Sequence, residues 1–88
     1  MARSLLVEVV TPDTTVFSGE VVSLVVTAPD GEVGVFPLHA PMVAQLGDGQ
    51  LRLKRADTEK TEVFTTEGGY LQIAEDKAII LTDTAVAA

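Results

Sequence analysis

The sequence predicts an all-β domain: a β-sandwich of two sheets built from about ten short strands. Three observations predict it. Apolar and polar residues alternate with a period of two, Leu51 and Leu53 against Arg52 and Lys54, Leu71 and Ile73 against Tyr70 and Gln72, which is the pattern of strands buried on one side. Leu5 to Val10, Val21 to Val26 and Ala78 to Leu81 are short, largely apolar runs rich in branched side chains, and read as buried strands. Turn-forming residues punctuate the chain at Thr11-Pro12-Asp13, Pro29-Asp30-Gly31, Gly47-Asp48-Gly49, Ala56 to Glu59, Gly68-Gly69 and Glu75-Asp76-Lys77, mostly at the interval of a small sandwich or barrel.

In chain order, strands are expected over residues 4–10, 15–18, 20–28, 33–36, 41–46, 50–55, 61–67, 70–74 and 78–82. The segment 41–46 is the least strand-like, because its Ala and Met also suit a turn of helix. Alternation places Val7, Val9, Val22, Leu24, Val26, Leu51, Leu53, Leu71, Ile73, Ile79 and Leu81 on the inward faces. Phe17, Phe36, Phe64 and Tyr70 are too scattered for a base-stacking platform and are expected to fill the core. Thr84 to Ala88 are small residues expected to fray.

The chain of 88 residues makes one domain, residues 1–88, with a thin core. It contains no cysteine, so neither disulfides nor thiolate-bound metal reinforce that core. Its hydrophobic fraction of 47% is high for a small domain, which points to exposed apolar surface and a partner. Thirteen acidic residues against six basic ones give a net charge of -7. That balance opposes nucleic-acid binding and direct adhesion to anionic lipid. Leu5-Leu6-Val7 is interrupted by Glu8, too short a run for a signal peptide or a membrane span.

Catalytic chemistry finds little purchase. His39 is the sole imidazole, and no activated nucleophile or nucleophile elbow accompanies it, so a hydrolase built on it lacks its partner. Without cysteine, His39 and scattered carboxylates are a poor zinc set. Gly47-Asp48-Gly49 lacks the alternating acids and distal glutamate of a calcium loop and reads as a hairpin turn. Gly68-Gly69 has no following helix or Lys-Ser/Thr, and reads as a tight turn or bulge rather than a phosphate loop. Arg52, Lys54, Arg55 and Lys60 cluster around one hairpin; they form either a local anion patch or the solvated face of an edge strand. No catalytic residue, metal or cofactor is expected.

The most distinctive stretch is Asp30-Gly31-Glu32-Val33-Gly34-Val35-Phe36-Pro37-Leu38-His39-Ala40-Pro41. Two prolines four apart fix φ twice and remove two backbone donors, making a stiff loop around the histidine. Together with Val9-Val10-Thr11-Pro12, Phe17-Ser18-Gly19-Glu20-Val21, Gly68-Gly69 and Leu81-Thr82-Asp83-Thr84-Ala85, in this order and spacing, it resembles the N-terminal domain of the F-type ATP synthase epsilon subunit over nearly the whole chain. Leu38 stands where the family usually has Gly, and Glu67 where it usually has Ser.

The resemblance implies a non-catalytic central-stalk subunit that binds the gamma subunit and the c-ring and couples ion flow to ATP synthesis. It implies a peripheral position on the ATP-producing face of an energy-coupling membrane, reached only through the complex. It places Glu32 at the end facing the c-ring loops, and His39 and Val43 on the side facing gamma. The chain ends at Ala88, short of the family's helical hairpin, so a naturally short subunit without the inhibitory element is expected. A stand-alone β-sandwich module binding a ligand or peptide is the competing reading.

Overall fold

The computed structural model describes residues 4–37 and 41–88. Those residues form nine strands and no helix: β1 (Leu5–Val10), β2 (Thr15–Ala28), β3 (Gly31–Val35), β4 (Met42–Gln45), β5 (Gly49–Arg55), β6 (Thr61–Glu67), β7 (Tyr70–Ala74), β8 (Lys77–Leu81) and β9 (Thr84–Ala87). Hydrogen bonding runs without a break in the order β4-β7-β8-β1-β2-β5-β6-β9, with β3 also on β2. All pairs are antiparallel except β1 with β8.

Two layers arise because β2 changes neighbours along its length. Its first half pairs with β1, from Thr15 opposite Val10 to Val21 opposite Leu5. Its second half pairs with β3 on that same edge, Leu24 opposite Val35, and with β5 on the other, Leu24 opposite Leu53. Between Val21 and Ser23 the register shifts, and a bulge of this kind bends a strand. The expected strands 15–18 and 20–28 are therefore one strand used twice. One layer is β4-β7-β8-β1 with the start of β2; the other is β3, the end of β2, β5, β6 and β9. One core fills the space between them, drawing Leu5, Val7 and Val9 from one layer and Leu24, Leu51 and Leu53 from the other.

The bulge also changes which side chains point inward. Val21 and Leu24 are fully buried, whereas Val22, expected inside, is only half-buried. The extra residue shifts the parity, so alternation counted back from Leu24 names the wrong valine. The face of β8 is reversed as well. Ala78 and Ile80 are buried and Leu81 is 50% exposed, where Ile79 and Leu81 were expected inward. The run Ala78 to Leu81 has no polar residue to set its parity. Pairing sets it instead: Ala78 and Ile80 lie opposite the buried Val7 and Val9 of β1, and opposite Ile73 and Leu71 of β7.

Three further expectations are corrected. Thr84 to Ala87 do not fray; they form β9 against β6, Thr84 opposite Glu67 and Ala87 opposite Phe64. The buried Thr82 pins the approach, its hydroxyl within 3.0 Å of the Glu67 carbonyl and 3.1 Å of the Thr84 carbonyl, while the Thr84 hydroxyl donates to the Glu67 carboxylate at 2.9 Å. Glu67 thus has its own hydroxyl partner. Gly47-Asp48-Gly49 is not a hairpin turn, since β4 pairs with β7 and β5 with β2 and β6; it carries the chain from one layer to the other. Finally, β5 is no edge strand. Gly68-Gly69 is the tight turn expected, with φ of 59° and 108°.

Candidate docking surface

Of the aromatic residues, Phe17 and Phe64 are buried, but Tyr70 and Phe36 are 57% and 60% exposed, against the expectation that all four fill the core. Tyr70 begins β7 at the outward parity, next to the inward Leu71. Its neighbours across the sheet are Gln45 of β4 and Leu81 of β8, and Leu81 in turn lies opposite Val10 of β1. The next outward row runs Val43, Gln72, Ile79, Glu8. The outer face of this layer therefore carries an apolar stripe of Tyr70, Leu81, Ile79 and Val10, with Val43 diagonal to Tyr70. Val43 is the most exposed of them, at 69%. Beside Tyr70 and Leu81 an open groove of ≈ 390 Å³ reaches Val10 and Pro12. Charge on this face is self-neutralised, Glu8 accepting from Lys77 at 2.9 Å.

Glu32 stands on the other layer. It lies in β3, opposite Thr27, where its carboxylate is half exposed, as the Asp30-Gly31 turn predicts. It is not free: Arg52 Nη2 donates to Glu32 Oε1 at 3.0 Å. Arg52 sits opposite Val25 on the far edge of β2, so it reaches diagonally across that strand. Glu32 and Val43 thus lie on the outer faces of different layers. His39, the third expected interface residue, and Leu38 lie outside the described residues.

The basic cluster expected around β5 is dispersed by the fold. Arg52 and Lys54 point outward. Arg55, on the opposite parity, closes the end of the core. Its guanidinium lies 5.6 Å from the Phe17 ring centre, bonds Asp57 through Nε at 3.0 Å and Nη2 at 3.2 Å, and bonds Glu62 through Nη1 at 2.7 Å. The hydrogen bonds from Arg55, followed by that from the Thr58 amide, hold the Asp57 carboxyl down at about 2. The same bonds raise the guanidinium further above its ordinary value. A guanidinium already held by two carboxylates offers little to an outside anion. Among the described residues no three His, Cys, Asp or Glu side chains gather to hold a metal ion.

A closed sandwich with two distinct polar and apolar outer surfaces is a scaffold for contact. The sequence profile of the family described as ATP synthase, Delta/Epsilon chain, beta-sandwich domain matches residues 4–88. The chain belongs to this family. It is 41% identical over 88 residues to the ATP synthase epsilon chain of Dichelobacter nodosus, covering 100% of this chain and 61% of that protein. It is 42% identical over 82 residues to that of Leptospira interrogans serovar Lai, covering 93% and 63%. The chain thus spans about three-fifths of the length of these curated relatives.

Two solved structures share the family's fold. One is a chain of the Euglena gracilis mitochondrial ATP synthase, determined as OSCP/F1/c-ring, with TM-score 0.85 and 23% identity over 96% of this chain and 53% of that one. The other belongs to the central stalk/c-ring structure of the Tetrahymena thermophila mitochondrial ATP synthase, with TM-score 0.78 and 15% identity over 94% and 66%. No relative named here is a stand-alone ligand-binding module. Tyr70 and Leu81 are surface residues that sequence reasoning placed inside, and Arg52, read only as part of the basic cluster, is a partner of Glu32 that it did not foresee. Tyr70 was legible from its outward parity; the other two depend on pairings between distant segments.

Proposed function

We infer that this chain is the sandwich domain of a non-catalytic central-stalk subunit of a proton-translocating F-type ATP synthase. In this reading gamma docks on the outer face of β4, β7, β8 and β1, around Val43. The c-ring is met at the Glu32 end, and His39 lies on the gamma side. The domain couples ion flow to ATP synthesis by contact and performs no chemistry of its own. It is peripheral to an energy-coupling membrane, on the ATP-producing face, and is held there by its partners.

The observation that carries this reading is the apolar stripe of Val43, Tyr70 and Leu81, exposed at 69%, 57% and 50% on a domain whose core is already closed. Aromatic and aliphatic side chains grouped on one sheet face favour a protein partner over solvent. The relatives named as epsilon chains support seeking such a partner within an ATP synthase.

Val43→Asp tests it. The side chain is exposed in the free domain, so folding is expected to survive, as judged by circular dichroism. Docking would bury an unpaired carboxylate, at a cost of about 3–5 kcal/mol. Gamma capture should therefore fall by about a hundred-fold or more, with loss of ATP-driven proton pumping in reconstituted complexes. Undiminished gamma binding by this variant would refute the assignment of the face.

A further inference from the structure

Glu32 and Arg52 meet across β2 with one contact, Nη2 to Oε1 at 3.0 Å, and both side chains remain partly open to solvent, 52% for Glu32 and 36% for Arg52. Their supports are unequal. Arg52 belongs to β5, paired on both sides by β2 and β6, whereas Glu32 belongs to β3, which among the described residues pairs with β2 alone. The cation is fixed by the fold and the carboxylate rides on an edge. Lys54, two residues from Arg52 along β5, is exposed on the same outer face and adds to the positive field.

We propose that Arg52 is the residue that sets the strength of docking at the Glu32 site. It cancels the carboxylate's charge, so that an incoming cationic loop meets a neutral pair in place of a bare anion. This rests on reading Glu32 as a docking residue. A carboxylate has acceptor capacity for two cations, so a partner Lys or Arg shares Glu32 with Arg52 or displaces it. Either way the partner's charge comes close to that of Arg52, and the two repel. The guanidinium cannot relieve this by losing its proton. Docking at Glu32 is thereby kept weak and exchangeable, and is most sensitive to charge at low salt.

The consequence separates this idea from simple loss of a contact. Glu32→Ala removes the anion and also uncovers Arg52, so it acts twice. Removing both charges should be milder than removing Glu32 alone, which is the signature of coupled residues in a double-mutant cycle.

The test is association of the full chain with a purified gamma–c-ring subcomplex from the same organism, at about 0.05 M and about 0.5 M salt. Arg52→Gln, which removes the charge and leaves a shorter side chain with a hydrogen-bond donor, should bind about two- to five-fold more tightly than wild type at the lower salt, with the gain shrinking at the higher. Arg52→Lys should return to the wild-type value. Glu32→Ala/Arg52→Gln should bind more tightly than Glu32→Ala. A purely structural role for Arg52 would give weaker binding, lower stability and no salt dependence. If Glu32→Ala binds more weakly than wild type but Arg52→Gln is no tighter at low salt, or the two Glu32→Ala proteins bind alike, the role of Arg52 is refuted and the docking reading stands; if Glu32→Ala binds as wild type does, Glu32 is no docking residue and both are refuted. If wild type fails to bind the subcomplex, the docking reading is refuted, and the role of Arg52 with it.

Discussion

The backbone carbonyl of Leu81 occupies the place that a Cβ on Gly69 would need. At φ of 108° Gly69 also has a backbone that side chains rarely allow. The β6–β7 turn therefore passes directly against the end of β8, and the approach is backbone to backbone, where no rotamer can yield. Gly69→Ala is expected to destabilise the domain by about 2–4 kcal/mol, measured as a lower urea midpoint. Gly68→Ala, with φ of 59° and nothing within 4 Å of its Cβ position, should cost about 1 kcal/mol.

The two central residues of the β7–β8 hairpin, Glu75 and Asp76, have φ of 52° and 58°. That is a type I′ turn, which fits the twist of the strands but suits Asn and Gly better than Glu. Glu75→Asn should raise stability by about 0.5 kcal/mol, because asparagine tolerates the left-handed region more readily. A lower thermal midpoint for this variant would contradict the account.

The Asp57 carboxyl, held down at about 2 from the ordinary 3.8 by Arg55, links folding to acid. A depressed folded-state value means that the carboxylate's contribution is fully present above 3.8 and is lost as pH falls through about 2. Asp57→Asn should flatten the acid limb of the stability profile by losing the small contribution present above 3.8, its stability converging with that of wild type as pH falls toward about 2. The amplitude should be small and should shrink with salt, since the pair is exposed. Urea midpoints between pH 5 and pH 2 check it; an unaltered slope would show that the Arg55 cluster contributes nothing in acid.

Neighbouring residues of β8 should behave oppositely. Ile80 is fully buried while Leu81 is half exposed. Ile80→Ala should cost about 2–5 kcal/mol, and Leu81→Ala less than about 1 kcal/mol. Leu81→Ala should instead weaken gamma capture, which reads the apolar stripe rather than the core.

How far the sequence led can be followed residue by residue. β5 and β7 alternate cleanly, and there Leu51, Leu53, Leu71 and Ile73 were placed inside correctly. In β8 a continuous apolar run carries no parity, so the facing strands decide. At Val22 one inserted residue defeats counting. β9 is four small residues whose strand character comes from β6, a neighbour far away in the chain, and local propensity has no access to that. At the candidate surface, the exposure of Glu32 followed from an Asp-Gly turn. Its engagement by Arg52 required a register across β2 that no local signal encodes.

The bulged β2 has a mechanical meaning. Because one unbroken stretch of backbone serves both layers, the two outer faces are joined by covalent bonds as well as by a shared apolar filling. A load applied between a partner on the Val43 side and another on the Glu32 side meets no hinge. It runs along β2 and is resisted on both flanks by ladders that must shear several hydrogen bonds together. A domain wired in this way behaves as a stiff washer between its two outer faces, passing a load on instead of storing it.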